Sequence, residues 1–288
     1  MDIRIVFQVL INGILFGTMY GIGAIGLSLI FGTMRIVFLA QGTLIVLAAY
    51  GSFWLFHYYK IDPYLSMVMV LPVFCAMGAA FYQILFRKVA KESEFPTLLI
   101  AFGLMTLLEN LMSVIFTTNT RALQTSYAAV AFKIFGFRIS LVRSMAFIMA
   151  LLGIGVVTVF LKKTLIGKAV RASSENIENA TLVGINSHHV NTVAFAVGIG
   201  LAGVAGIAVA TTYAFDPFSG FTYSLKAMIA LALGGMNSVL GAFLGGVLLG
   251  VVESYASFFI SSGWAHVISY FVFLCVLLFK PEGLFSRQ

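Results

Sequence analysis

Long apolar runs, separated by short polar stretches, dominate the hydrophobic pattern of this chain. A helix needs about 20 apolar residues to cross about 30 Å of hydrocarbon. Runs near this length cover residues 5–31, 36–58, 63–86, 96–116, 144–161, 191–213 and 264–279. The pattern therefore predicts an all-α, polytopic integral membrane helix bundle, with residues 1–288 forming one transmembrane domain. No fixed repeat period stands out.

The pattern between residues 225 and 260 is less simple. The apolar run 227–233 is too short to span, the sequence GGMNS at 234–238 interrupts it, and a glycine-rich run follows at 239–260. We expect a broken helix here, which gives about eight to nine membrane segments in all. Non-helical backbone at membrane depth survives only where protein or a water-filled path satisfies it. The break therefore indicates a translocation route.

Two hydrophilic stretches, 87–94 and 162–190, are both predicted to be cytoplasmic, which places the N-terminus outside and the C-terminus inside. Lys and Arg then number ten on the inner side and seven on the outer side. Cytoplasmic loops of membrane proteins carry an excess of Lys and Arg, so this small difference agrees with the orientation but supports it only weakly. The outer seven are Arg4, Lys60, Arg121, Lys133, Arg138, Arg143 and Lys226. The segment 117–143 is the longest outer loop, and its alternating residues 131–141 predict either a short hairpin or an interfacial amphipathic segment.

Composition agrees with a membrane location and excludes several other classes. The chain is 61% hydrophobic and 9% charged, with a mean hydropathy of +1.05, so too few charged side chains exist to cover a water-facing surface. The formal charge is +7, but the basic residues are scattered and form no stripe typical of nucleic-acid binding. The first run is too long for the core of a cleavable signal peptide.

Several short motifs have structural explanations. Two matches to GxGxxG, at 21–26 and 198–203, lie inside apolar runs and lack the strand and acidic residue of a dinucleotide site. Glycines spaced by four residues instead favour close helix packing in lipid. A Walker A loop is absent from the sequence, and adjacent His188 and His189 lack the spacing of metal ligands on one helical face.

Two acids lie well inside apolar runs, and ionisable residues in membrane segments are typically functional. Glu109 and Glu253 are candidates for proton coupling, but neither has a basic partner in its own span. An equal alternative is a neutral, hydrogen-bonded acid that ties helices together. Uncharged polar residues that add hydrogen-bonding groups to the apolar runs are Asn12, Gln41, Thr43, Asn110, Thr211, Thr212, Asn237 and Ser238.

The hydrophilic segment 162–190 carries helix signals. Glu175 and Glu178 favour a helix N-terminus, and an apolar patch follows before Gly184. A short amphipathic helix of this kind lies on lipid or docks in a groove on a partner. The acids beside the patch make anionic lipid the poorer partner.

Three segments carry a family resemblance: NGILFGTMYGIGAIGLSLIFGTMRIVFLAQG at 12–42, GKAVRASSENIENATLVGIN at 167–186, and LKAMIALALGGMNSVLGAFLGGVLLGVVE at 225–253. In this order they resemble the membrane permeases of bacterial branched-chain amino acid ABC importers, the LivH type. The resemblance covers nearly the whole chain. It implies a multi-pass protein of the bacterial cytoplasmic (inner) membrane that is not itself an enzyme.

The resemblance also implies partners. These are a second, related permease subunit, two cytoplasmic ATPase subunits that bind ATP and magnesium, and an extracytoplasmic substrate-binding protein. No cofactor is expected on this chain, and the expected surroundings are lipid, not nucleic acid. Carried onto this sequence, the coupling loop would contact the ATPase through Ala172, Glu175, Ala180, Leu182 and Gly184. The family often has His where Gln41 stands, so urea, amides or another small solute are alternatives to branched-chain amino acids.

Import by such a permease would proceed by alternating access, with broken segments near 32–42 and 234–238 lining the path. The predicted path residues are Asn12, Gln41, Thr43, Glu109, Asn237, Ser238 and Glu253. A proton-coupled secondary carrier that uses Glu109 or Glu253 is the alternative from a different class. An integral-membrane enzyme is a poorer third hypothesis, because the sequence shows no catalytic constellation.

Overall fold

The computed structural model describes residues 3–89, 94–134, 136–236 and 238–285. Within these ranges the chain forms eleven α-helices, a π-helix at Tyr82–Phe86 and one β-hairpin. The helices are α1 Ile3–Met34, α2 Gln41–Tyr59, α3 Pro63–Phe81, α4 Glu94–Phe116, α5 Leu141–Lys163, α6 Leu165–Glu175, α7 Ile177–Leu182, α8 Ser187–Thr212, α9 Gly220–Gly234, α10 Val239–Phe259 and α11 Ser262–Phe279.

Seven of the described helices are long and apolar enough to cross a membrane: α1, α3 with its π-helical extension, α4, α5, α8, α10 and α11. Helix α2 and the shorter apolar helix α9 pack among them, and both have many fully buried side chains. The predicted all-α, polytopic membrane bundle is therefore confirmed.

Helices α1 and α8 form the centre of the bundle and run antiparallel. They cross at Gly26 and Gly198, where a Cβ on Gly198 would lie 2.7 Å from the carbonyl oxygen of Gly26. Farther along, the rings of Phe16 and Tyr213 meet edge to face with centroids 4.9 Å apart. Glycine at the crossing permits this close approach, which is a common basis of helix association in lipid.

The two halves of the chain repeat one helix order in opposite directions, although the sequence shows no repeat period. In the first half of this comparison α1 is followed by α2 and α3, and in the second half α8 is followed by α9 and α10. Helix α3 packs on α8, and in the same way α10 packs on α1. Helices α2 and α9 each begin inside the bundle after an irregular segment. These two helix starts meet, since a Cβ on Gly220 would lie 2.7 Å from Thr43 Cα. Such inverted repeats are typical of transporters.

One end of the bundle, here called the hairpin face, carries strands β1 Ala131–Ile134 and β2 Phe137–Ser140. The backbone N–H of Arg138 donates to Gln8 Oε1 at 2.9 Å, which ties the hairpin to the start of α1. Of the two alternatives for this segment, the structure has the hairpin. Beside it, Tyr127 donates to Asp62 Oδ2 at 2.8 Å, and burial and this carboxylate raise the pKa of Tyr127 above its ordinary value.

The opposite end, here called the α6–α7 face, carries the other polar segments. Asn176 caps α7 by accepting from the N–H of Asn179 at 2.9 Å, so the polar segment turns sharply between its two helices. Tyr82, at the end of α3, contacts His188 Nδ1 at 3.1 Å. The hydrophilic stretches 87–94 and 162–190 therefore start from the same end of the bundle. Residues 90–93 lie outside the described ranges.

The break predicted at 234–238 falls between two helices, since α9 ends at Gly234 and α10 begins at Val239. Helices α9 and α10 are antiparallel neighbours, and the turn between them contacts the C-terminal tail, where Leu284 N–H donates to Leu233 O at 2.8 Å. Two further irregular segments, at 35–40 and 213–219, lie inside the bundle. Phe38 and Phe215, one from each segment, are both 0% exposed.

Candidate functional site

A buried ion pair joins α9 and α10. Lys226 Nζ lies 2.8 Å from Glu253 Oε1 and also donates to Tyr20 Oη of α1 at 2.8 Å. His266 Nδ1 of α11 lies 2.6 Å from the same carboxylate oxygen. The cluster therefore connects four helices through one carboxylate.

This ion pair corrects the assignment of Lys226 to the outer side, because Lys226 is 6% exposed in the second turn of α9. It also supplies the basic partner that Glu253 lacks in its own span. The sequence contains a usable signal, since Lys226 directly precedes the apolar run 227–233. A lysine at the edge of an apolar run can equally lie in water at the end of a membrane segment. Only the packing of α9 against α10 shows that the side chain of Lys226 points into the bundle.

The second acid, Glu109, lies where α4 meets the starts of α2 and α9. Thr43 Oγ1 donates to Glu109 Oε1 at 3.2 Å, and this carboxylate lies near the start of α9. The structure thus brings together two of the predicted path residues, from positions 66 apart in the sequence. The carboxylate lies at the N-terminal end of α9, where unpaired backbone N–H groups favour negative charge.

Helix α4 presents a polar stripe on the outside of the bundle at this depth. Thr106 and Asn110 are exposed, and Glu109 and Ser113 are half-buried. These positions are three or four residues apart and so share one helical face. Thr106 Oγ1 donates to Phe102 O at 3.0 Å and Asn110 Nδ2 donates to Thr106 O at 2.8 Å, both within α4. Hydrocarbon offers no hydrogen bond to the remaining polar atoms of the stripe, so these atoms favour water or a protein partner beside α4.

The remaining predicted path residues are dispersed. Gln41 is 0% exposed and its Nε2 donates to Gly198 O at 3.2 Å, so it bridges central helices. Asn12 Oδ1 accepts from Arg143 Nη1 at 3.4 Å near the hairpin face. Ser238 caps α10 by accepting from the N–H of Gly241 at 3.0 Å, and Asn237 lies outside the described residues.

The residues expected to contact an ATPase lie on the α6–α7 face. Leu182 is 84% exposed, Glu175 is exposed, and Gly184 has a φ of +86°, a left-handed conformation that favours glycine. Ala172 is half-buried. Ala180 is 4% exposed and so faces the interior of the protein. Val183, 77% exposed, extends the apolar patch.

Comparison with known proteins adds the family. Residues 9–277 match the family described as "Branched-chain amino acid transport system / permease component". The chain is 28% identical to the "High-affinity branched-chain amino acid transport system permease protein LivH" of Salmonella typhimurium, over 97% of this chain and 95% of that protein. It is 27% identical to the "High-affinity branched-chain amino acid transport system permease protein BraD" of Pseudomonas aeruginosa, over the same shares of the two chains.

A shorter match joins this chain to a permease named for a different solute. The "Autoinducer 2 import system permease protein LsrC" of Salmonella paratyphi B is 32% identical over 41% of this chain and 37% of that protein. No solved structure matches the chain. A family match over residues 9–277, together with seven helices that can cross a membrane, shows that this chain belongs to the permease components of branched-chain amino acid transport systems, a family of ABC importer permeases.

Proposed function

We propose that this chain forms half of the translocation path of an ABC importer for branched-chain amino acids. It would act with a second, related permease subunit, two ATPase subunits and an extracytoplasmic binding protein. The observation that carries the proposal is the exposed apolar pair Leu182 and Val183 at the end of α7, on the α6–α7 face. Exposed apolar side chains at the end of a short helix are suited to a groove on a protein partner.

In this proposal the hairpin face is extracytoplasmic and the α6–α7 face is cytoplasmic. Lys226 is buried, so the outer tally of Lys and Arg falls from seven to six (7 − 1) while the inner tally stays at ten. The charge bias toward the cytoplasmic side is therefore stronger than the sequence count suggests.

Coupling to ATP hydrolysis would pass through α6 and α7. Glu175, Leu182 and Gly184 are accessible to an ATPase, whereas buried Ala180 would fix the orientation of α7 from the inside. Ala172 is half-buried and would lie at the edge of the contact. ATP and magnesium would be bound by the ATPase subunits, and this chain would transmit their movement to the helices.

The translocation path would follow the polar stripe of α4, beside Thr43 and Glu109. The second permease subunit would cover this stripe, so that the polar groups face a water-filled seam between the subunits and not lipid. Rocking of the two subunits would then open the seam to one side at a time. Gln41, Ser238 and Glu253 would act in this picture by holding helices, since each has partners within the bundle.

Reconstitution tests the proposal. The chain should be co-expressed with the other importer subunits, placed in ATP-loaded vesicles and supplied with the binding protein and labelled leucine, urea or acetamide. We expect leucine uptake that requires internal ATP and continues when a protonophore removes the proton gradient. Uptake of urea or acetamide without leucine would show a different solute. Uptake that needs the gradient but no ATPase would support the secondary carrier instead.

A further inference from the structure

A cavity of about 310 Å³ opens near the hairpin face, away from the polar stripe of α4. It lies between the first turn of α5, the last turn of α8 and the outer segment that includes Leu123. Its volume is at the low end of the range of roughly 300 to 1,000 Å³ that is usual for ligand pockets. The cavity is therefore large enough for a small molecule.

One cation lines this cavity. Arg143 is half-buried, and its guanidinium donates to the neutral amide oxygen of Asn12 at 3.4 Å. Among the residues that the structure describes, no Asp or Glu oxygen lies within 4.0 Å of the guanidinium nitrogens. A guanidinium in this position favours an anion, and its planar donors match a carboxylate especially well.

The remaining lining suits a ligand with one polar end. The lining residues include four that carry hydroxyl groups, Ser140, Thr211, Thr212 and Tyr213, while Leu123 and Val142 are apolar. Within the described part of the chain, the hydroxyl oxygens of Thr212 and Tyr213 are buried and make no hydrogen bond. Buried hydroxyls without partners are costly, so a ligand or water that reached them would gain hydrogen bonds.

We infer that this cavity binds a small amphiphilic carboxylate, and that Arg143 holds its carboxylate group. Given the proposed function, on which this identification of the ligand rests, the ligand is the amino acid that the importer carries. Its α-carboxylate would contact Arg143, and its side chain would face Leu123 and Val142. The cavity would then be an entry site on the extracytoplasmic face.

The backbone connects this entry site with the polar contact at depth. Tyr213 and Ala214 line the cavity, and the irregular segment 213–219 leads from them to the start of α9, near Glu109. Phe215 lies within this segment, fully buried against Tyr50. A single short segment of chain therefore connects a ligand in the cavity with the start of α9 beside Glu109.

The test uses the assembled importer in lipid nanodiscs without the binding protein, because direct binding to the permease is the question. Saturation-transfer NMR would detect binding of leucine, and competition would use 4-methylpentanoate, which lacks the ammonium group, and leucinamide, which lacks the carboxylate. We expect 4-methylpentanoate to displace leucine and leucinamide to fail. Arg143→Gln should weaken leucine binding by about tenfold or more, since charged hydrogen bonds are lost. Arg143→Lys should retain part of the binding.

Arg138→Gln is the matched control, because its side chain is exposed on the same face and outside the cavity. Elution of each variant as an intact complex checks that it has folded. Leucine binding that is unchanged in folded Arg143→Gln, or displaced equally by leucinamide, would overturn the inference. In a separate pull-down with the binding protein, loss of docking by Arg143→Gln with leucine binding intact would also overturn the inference, and would make Arg143 a docking residue. ATP-driven uptake measured in parallel separates these results from a failure of the proposed function.

Discussion

Lys226 of α9 and Glu253 of α10 form an ion pair with Nζ and Oε1 2.8 Å apart, and their side chains are each only 7% exposed. Tyr20 adds a second contact to the lysine, with its ring centroid 4.6 Å from Nζ. A buried charge that loses its partner is strongly destabilised, whereas removal of both charges is often tolerated. The pair therefore makes the positions of α1, α9 and α10 depend on one another.

Single and double substitutions at this pair should differ. Glu253→Gln leaves Lys226 without its anion and should destabilise the protein by about 3 to 5 kcal/mol. Lys226→Gln leaves His266 as the basic group beside Glu253, so it should also destabilise the protein, but by less. The double variant Lys226→Gln, Glu253→Gln should be more stable than either single variant. Thermal unfolding of the purified permease in detergent measures this order. If Glu253→Gln and the unchanged protein have the same melting temperature, the ion pair has no structural role.

Glu109→Gln should reduce import without abolishing it. The amide oxygen introduced by this substitution can still accept from Thr43, so the contact between α4 and the start of α2 is kept while the charge is lost. Leucine uptake into ATP-loaded vesicles is the measurement, with Thr43→Ser as a control that keeps the hydroxyl. Loss of all uptake in Glu109→Gln, together with loss in the unchanged protein on addition of a protonophore, would support the proton-coupled carrier.

Leu182→Asp should prevent ATPase binding and leave membrane insertion intact. Leu182 is 84% exposed, so a charge there does not disturb the interior, but it would be costly in an apolar groove. Co-purification of the ATPase subunits is the measurement. Asn179→Asp adds the same charge at another exposed position of α7 and should retain the ATPases. Equal loss in both variants would mean that charge, and not the apolar patch, decides binding.

Substitutions at Gly184 test the same surface less directly, because its φ of +86° lies in the left-handed region. Most other residues are strained in that region, and Asn is one of the few that tolerate it. A Cβ at Gly184 would meet no atom within 4 Å. Gly184→Asn should therefore keep ATPase binding, whereas Gly184→Trp should lose it through bulk in the interface. Loss in Gly184→Asn would instead indicate that the backbone conformation itself is what the partner requires.

Single cysteines should report the orientation. In a background without Cys75 and Cys275, a cysteine at Ser126 near the hairpin face should be labelled from outside the cell by an impermeant maleimide. A cysteine at Ser187, at the start of α8 on the α6–α7 face, should be labelled only after the membrane is opened. Labelling of both positions from one side would contradict the arrangement of spans between them.

Gly17→Ala should destabilise the bundle where α1 crosses α10. A Cβ at Gly17 would lie 2.6 Å from the carbonyl oxygen of Gly246, closer than atoms of two helices can approach. The two helices would have to separate, at a cost of about 1 to 3 kcal/mol. Gly155→Ala in α5 is the control, because a Cβ there meets no atom within 4 Å. Thermal unfolding should separate the two variants, and an equal melting temperature would show that the crossing can relax.

The sequence by itself determined that this is a membrane bundle, because each apolar run long enough to cross lipid is a local property of the chain. It also determined the family, since the segments 12–42, 167–186 and 225–253 carry recognisable patterns. Local alternation at 131–141 reduced that segment to two alternatives, of which the structure has the hairpin, and acidic residues beside an apolar patch predicted a short amphipathic helix within 162–190. Such features need no knowledge of which helices are neighbours.

The tertiary structure decided which polar groups meet. Thr43 contacts Glu109 and Lys226 contacts Glu253 because α2, α4, α9 and α10 pack with particular rotations, which the hydropathy of each segment does not specify. It likewise placed irregular backbone at 35–40 and 213–219 inside the bundle. In lipid an apolar helix can present any face to its neighbours without loss of hydrophobic burial, so close packing and hydrogen bonding between helices make that choice.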